Sequence, residues 1–154
     1  MSDQIGTIIR PYVSRPLLNG QELVNWANGL GLEDVIAPEK MHVTVLYSKT
    51  PVDISVIPLA RDAISLRLHN ARPFRISSAL GLPIEHPKID ETHKRYLAIG
   101  ATHDYANGVF RPHITLRYDA SEKDLDVFST TRGFTGSLEL GAEQIEPLRS
   151  GWRP

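Results

Sequence analysis

His42-Val43-Thr44-Val45-Leu46-Tyr47 follows the order His-aliphatic-Thr-aliphatic-x-Tyr, and the same order returns at His113-Ile114-Thr115-Leu116-Arg117-Tyr118. A β-strand places residues i and i+2 on one face. Each copy therefore predicts a strand with an imidazole beside a hydroxyl on one side. Val43 and Val45, or Ile114 and Leu116, point the other way. A single His-x-Thr is ordinarily a core or surface pair; the repetition is what points to a shared site. Each tyrosine comes five residues after its histidine, so strict alternation puts Tyr47 and Tyr118 on the opposite face as core residues, unless the strand ends before them.

Two such strands side by side hold the groups that phosphodiester cleavage needs. A base takes the proton of a 2′-hydroxyl, an acid protonates the departing 5′-oxygen, and donors hold the phosphoryl oxygens as charge builds. Histidines serve as base and acid near neutrality because their unperturbed pKa is about 6.5. Thr44 and Thr115 supply the donors. Such a pair needs no metal and predicts a bell-shaped pH–rate profile. Which of His42 and His113 is the base stays open in the sequence, since the two motifs are nearly symmetric. A metal centre is the weaker reading: there is no third obvious ligand and no His-x-x-x-His spacing. No nucleophile elbow is present for serine chemistry. His69, His86, His93 and His103 lie in polar or loop-like contexts and read as solvated.

The 154 residues suit one domain, 1–154, with a real hydrophobic core. An apolar fraction of 41% and a charged fraction of 23% are those of a globular chain. A net charge of −1 argues against a long nucleic acid as partner and leaves room for a small anionic ligand in a local basic pocket. The absence of cysteine excludes disulfides, zinc–thiolate sites and thiol nucleophiles, and fits a reducing cytosol. MSDQIGTIIRPY lacks a long apolar stretch of the signal-peptide kind, and no apolar run approaches membrane-spanning length. The expectation is a soluble, cytoplasmic protein.

Around the motifs, Ile5 to Val13 reads as a strand. Asn19-Gly20-Gln21-Glu22 reads as a capping box opening a helix, with Leu23, Trp26, Ala27 and Leu30 on its apolar face. Ile64 to Leu68, Phe74 to Leu82 and Arg95 to Ala101 are strand candidates, and Leu82 to Thr92, with Pro83, Pro87 and Asp90, reads as a connecting loop or hairpin. Ser121 to Phe128 predicts a short helix; Gly136 to Leu140 and Gln144 to Leu148 predict closing strands. Strands and helices without a βαβ rhythm indicate α+β.

At His42-Val43-Thr44 and His113-Ile114-Thr115 the chain resembles the 2H phosphoesterase superfamily, named for its paired His-x-Thr/Ser motifs. The resemblance implies a bilobal α+β fold, with two antiparallel sheets facing a central groove and helices outside. A closer likeness is to the phage anti-CBASS enzymes that destroy cyclic oligonucleotide messengers of bacterial immunity. It covers most of the chain: the Tyr12 strand, Met41 to Lys49, Pro112 to Tyr118, and a C-terminal tail with Glu and Trp. That likeness implies cofactor-free cleavage of 3′–5′ linkages in cyclic di- and trinucleotides, with His42, Thr44, His113 and Thr115 as catalytic residues. It also implies an N-terminal Tyr and a late Glu on the nucleotide. Tyr12 matches the first. Glu146 is the choice for the second, with Glu139 and Glu143 as neighbours. Tyr12 can stack on a base, Trp152 can cover ligand or tie down the tail, and Lys49 and Arg117 can offset phosphate charge. Two other readings stand beside this one: an RNA 2′,3′-cyclic phosphodiesterase acting on RNA or tRNA ends, and a sponge that binds cyclic nucleotides without cutting them.

Overall fold

The computed structural model describes residues 7–129 and 132–149. The two motifs form β3 (His42–Tyr47) and β8 (His113–Arg117), which lie side by side and antiparallel with Val43 opposite Ile114. β2 (Pro11–Pro16) and β10 (Gln144–Pro147) continue the sheet beyond β3; β7 (Ala79–Pro83) and β6 (Phe74–Ile76) continue it beyond β8. The result is a six-stranded antiparallel sheet ordered β10-β2-β3-β8-β7-β6. Its two three-stranded halves join at the motif strands. A long ribbon of β5 (Ile64–Ala71) and β9 (Phe134–Leu140) and a short pair of β1 (Ile8–Ile9) and β4 (Val52–Asp53) complete the strands. The class is α+β, as expected.

One face of the motif strands anchors the core. Val43, Val45, Ile114 and Leu116 are all 0% exposed and belong to one apolar cluster with Leu23, Leu82, Ile89 and Leu138. Burying each such side chain is worth about 1.5–3 kcal/mol. α2 (Pro87–Ala98) packs along β3 and turns Ile89, Thr92, His93 and Tyr96 inward, the spacing of one helical face. α1 (Gly20–Gly29) buries Leu23 and Ala27 and packs near β9; α3 (Glu122–Asp126) is a short helix closed by a Ser121–Asp124 capping box.

Several expectations are corrected. Arg95 to Ala101 is not a strand, and Leu82 to Thr92 is not a loop throughout: α2 occupies most of both. Pro87 sits in its first turn, where a missing N–H costs nothing, and His86 caps it by accepting from the Lys88 amide at 3.1 Å. Its inward face was hard to see because two of its positions are Thr92 and His93. Phe74 to Leu82 is a hairpin rather than one strand, turning at Ser77 with φ 53°. The first strand breaks at Arg10, where the chain leaves β4 as partner and joins β3; Ile5 lies outside the described residues. Asn19 stands at the N-cap of α1 but makes no capping bond. Its side-chain amide bridges to β9 instead, donating to the Ser137 carbonyl and accepting from the Glu139 amide, both at 2.9 Å.

Candidate active site

Each motif histidine is held in the same way. His42 Nδ1 lies 2.9 Å from the Lys40 carbonyl, and His113 Nδ1 lies 2.7 Å from the Arg111 carbonyl, two residues upstream in both cases. A carbonyl only accepts, so Nδ1 carries the proton of the neutral ring and Nε2 keeps its lone pair. With Val43 opposite Ile114 in an antiparallel pair, His42 falls across from Thr115 and Thr44 across from His113. Neighbours of that kind sit roughly 4.5–5.5 Å apart at their Cα atoms. Two imidazoles and two hydroxyls therefore share one face of two adjacent strands.

Strand alternation fails just past each Thr, and at the same place in both copies. Ser14 pairs with Thr44 but Val13 pairs with Leu46, so Val45 is an extra residue in β3. Gly81 pairs with Thr115 but Leu80 pairs with Arg117, so Leu116 is an extra residue in β8. Each is a β-bulge, and a bulge reverses the facing of every residue after it. Val45 and Leu46 both go to the core, at 0% exposure. Tyr47 returns to the histidine side, its ring 6.2 Å from that of Tyr12 and perpendicular to it. This corrects the placing of Tyr47 on the core face. The Tyr118 phenol, likewise, is near enough to Tyr12 to disfavour its ionisation. Arg117 is turned the other way, donating to the Glu33 carbonyl at 2.8 Å and pairing with Asp34 and Asp124, which engages it in structure rather than with phosphate.

Tyr12 is more buried than its sequence context suggests, at 2% exposure. Its hydroxyl sits 3.0 Å from His42 Nε2 and 2.8 Å from Thr44 Oγ1. With Nδ1 protonated, the phenol donates to His42 and the Thr44 hydroxyl donates to the phenol. Burial, ahead of the opposing bond to Thr44, pushes the Tyr12 pKa up, so it stays a neutral donor. A cavity of about 190 Å³ opens here, lined by Tyr12, Ser14, Lys40, His42 and Glu146 among others. Glu146 stands opposite Tyr12 in the β10–β2 register. Glu143 is buried elsewhere, accepting from the Ala60 amide at 2.7 Å, and Glu139 bonds the Ser65 hydroxyl. Lys49 does not line this cavity; its backbone N–H donates to Asp104 at 2.7 Å. Trp152 lies outside the described residues.

His113 is enclosed on three sides. Tyr105 stacks on it at 6.2 Å, and Phe74 meets it edge-on at 5.9 Å. Gly81 lies beneath: a Cβ there would come 2.7 Å from His113 Cδ2. An arc of rings thus runs from His42 through Tyr12, Tyr47 and Tyr105 to His113 and Phe74. Burial lowers the His113 pKa; the Arg111 carbonyl opposes this, and the charges of His42 and Arg111 add to it. Behind the site, His93 and His103 are packed in rather than solvated. His93 is 5% exposed, stacks on Phe110 at 3.7 Å and bonds the Val45 carbonyl at 2.7 Å. Tyr105, Phe74, Gly81 and Lys40 escaped the sequence reading, because only the sheet order brings them to the motifs.

The fold and the paired motif strands are those of a 2H phosphoesterase-like fold. Escherichia coli LigT complexed with 3′-AMP superimposes with a TM-score of 0.57 over 92% of this chain and 96% of that one, at 19% identity. A profile of the family described as "Anti-CBASS protein Acb1" matches residues 10–154. The chain belongs to that family. An anti-CBASS protein Acb1 of Vibrio phage KVP40 is 33% identical over 86% of this chain and 82% of its own length. Another, from Sphingomonas paeninsulae, is 32% identical over 93% of this chain, which spans only 24% of that relative.

Proposed function

We propose that this protein is a metal-independent phosphodiesterase that opens 3′–5′ linkages of cyclic di- and trinucleotides and so counteracts CBASS signalling, acting in the cytoplasm of the host cell. The observation that carries the reading is the matched anchoring of His42 and His113, each with Nδ1 held by the carbonyl two residues upstream, so that Nε2 turns away from the backbone and, in His42, meets the Tyr12 hydroxyl. Membership in the anti-CBASS family supports the substrate class.

In this reading His113, whose buried ring favours the neutral form, takes the proton of the 2′-hydroxyl. The 2′-oxygen attacks phosphorus, the P–O5′ bond breaks, and protonated His42 gives its Nε2 proton to the leaving oxygen. With His42 protonated, Nε2–H donates to the Tyr12 oxygen and the phenol donates to Thr44 Oγ1, which frees the Thr44 proton, and the Thr44 and Thr115 hydroxyls hold the non-bridging oxygens. The first product is a linear 2′,3′-cyclic phosphate with the same mass as the substrate. Water then opens it to a 3′-phosphate, heavier by one water. Tyr12 serves by holding His42 and Thr44, and Glu146, across the cavity, contacts the nucleotide.

The test is a panel of cyclic di- and trinucleotides incubated with protein and EDTA and read by chromatography and mass. Conversion to the isobaric product, then to the hydrated one, is expected. Intact ligand recovered from a denatured complex would show a sponge instead. A linear RNA ending in a 2′,3′-cyclic phosphate, run in parallel, separates the RNA-end reading: it would be the preferred substrate only if that alternative holds.

A further inference from the structure

We infer that the cavity on the far side of His113, between Arg75 and Arg111, holds a second phosphodiester of the substrate, so that ligands with two phosphates in one small ring are selected over those with one. This deepens the phosphodiesterase reading and rests on it.

The cavity measures about 350 Å³, and Arg75, Ser77, Asn107 and Arg111 supply its polar lining. It is tied to the active site through Arg111. The Arg111 carbonyl holds His113 Nδ1 at 2.7 Å, while its guanidinium lies 4.0 Å over the Phe74 ring. Phe74 in turn meets the His113 ring at 5.9 Å. The cavity therefore begins one aromatic ring away from the reacting group. The cavity beside His42 is lined from β2, β3 and β10, on the other side of the motif strands.

Neither Arg75 nor Arg111 is paired with a carboxylate among the described residues. Arg75 and Arg111 both line the cavity, and in a chain of net charge −1 two arginines without a carboxylate partner mark a place for an anion. Guanidinium groups match phosphate oxygens two at a time. The wall opposite is a turn in which Ala106 (φ 52°) and Asn107 (φ 60°) are both left-handed, a costly choice for residues with a Cβ. The same turn begins at Tyr105, the residue stacked on His113. One loop thus shapes both the reacting site and the second anion pocket. A substrate with a single phosphate would leave the pocket empty. A cyclic dinucleotide, whose ring carries two, would fill it.

The experiment measures equilibrium binding to protein already carrying His42→Ala and His113→Ala, with a cyclic dinucleotide and, separately, a dinucleoside monophosphate of the same bases. Arg75→Ala and Arg111→Ala are each added to that background. Each should weaken the cyclic dinucleotide roughly tenfold, the scale of a lost bond to a charged group, and should do so far more than for the single-phosphate ligand. Arg75→Lys and Arg111→Lys should recover part of the loss. An equal loss on both ligands, or none on either, overturns the inference. Cleavage by the wild-type protein is read separately. Cleavage without this arginine dependence defeats the second pocket alone, whereas binding that depends on the arginines without any cleavage defeats the phosphodiesterase reading.

Discussion

At the scale of single residues, the site depends on groups that do no acid–base work themselves. Tyr12 is the first. Its hydroxyl joins His42 Nε2 to Thr44 Oγ1. Tyr12→Phe keeps the buried ring and removes that link, and should lower kcat by roughly tenfold to a hundredfold with the fold intact, measured on a cyclic dinucleotide. Unchanged kcat would reduce Tyr12 to packing. Gly81 is the second. A methyl group there would approach His113 Cδ2 at 2.7 Å, so the imidazole must move. A displacement near 1 Å costs roughly 10²-fold in rate, and Gly81→Ala should show a loss of that order in kcat/KM while its thermal midpoint stays close to wild type. Full activity in that variant would mean the ring has room the structure does not show. The four motif residues were legible from spacing alone, because His-x-Thr shares a face over any short stretch of strand. Tyr12 was legible as a site residue, but its role was not. A phenol bonded to two side chains about thirty positions away is a product of the β2–β3 register, which spacing along one strand does not contain.

At the scale of elements, the bulges decide which residues share the face of the motif histidines. The parity rule placed Tyr47 in the core, and it was wrong because one extra residue, Val45, is set against β2. Nothing in Val45 itself announces this; the neighbouring strand imposes it, and the same happens at Leu116 against β7. The helix behind β3 supports the first bulge, since His93 on α2 bonds the Val45 carbonyl at 2.7 Å. His93→Phe keeps an aromatic ring against Phe110 and leaves that carbonyl without its partner. It should cost about 1–3 kcal/mol in urea unfolding, with a fall in activity as the bulge relaxes. A variant as stable as wild type would show that the bulge stands without the helix. α2 itself was misread because its inward face uses Thr92 and His93, which carry no hydrophobic signal, and its last residues, Arg95 to Ala98, resemble a strand when read alone. The short helix from Ser121, by contrast, was legible, and the structure adds a capping box between Ser121 and Asp124 that opens it.

At the scale of the whole molecule, three histidines are held below their ordinary pKa by burial: His93, His103 and His113. His103 is the most affected, pushed from 6.5 to about 4, first by burial and then by the charge of His93, against the pull of Asp104. Below pH 6.5 the unfolded chain takes up a proton that the folded protein refuses until about pH 4. Stability from this group is therefore full above pH 6.5 and is lost as the pH falls toward 4. Unfolding midpoints measured across that window should drop steadily, and His103→Gln should flatten the drop. A wild-type profile already flat across it would contradict the burial of these rings. The α+β class was legible from the mixed elements, and the joining of two antiparallel halves at the motif strands gives it a physical centre. The proposed chemistry sits at that seam, with one histidine from each half.

The most direct test of this account is the pH dependence of kcat/KM on a cyclic dinucleotide in EDTA, for the wild-type protein and for His42→Ala and His113→Ala. A two-limbed profile is expected for the wild type, with an acidic limb shifted below the ordinary histidine range by the buried His113. Losses of roughly 10²–10⁴-fold are expected in each variant. A wild-type rate that does not vary with pH, or a variant that retains full activity, would contradict the sharing of one phosphate between two histidines.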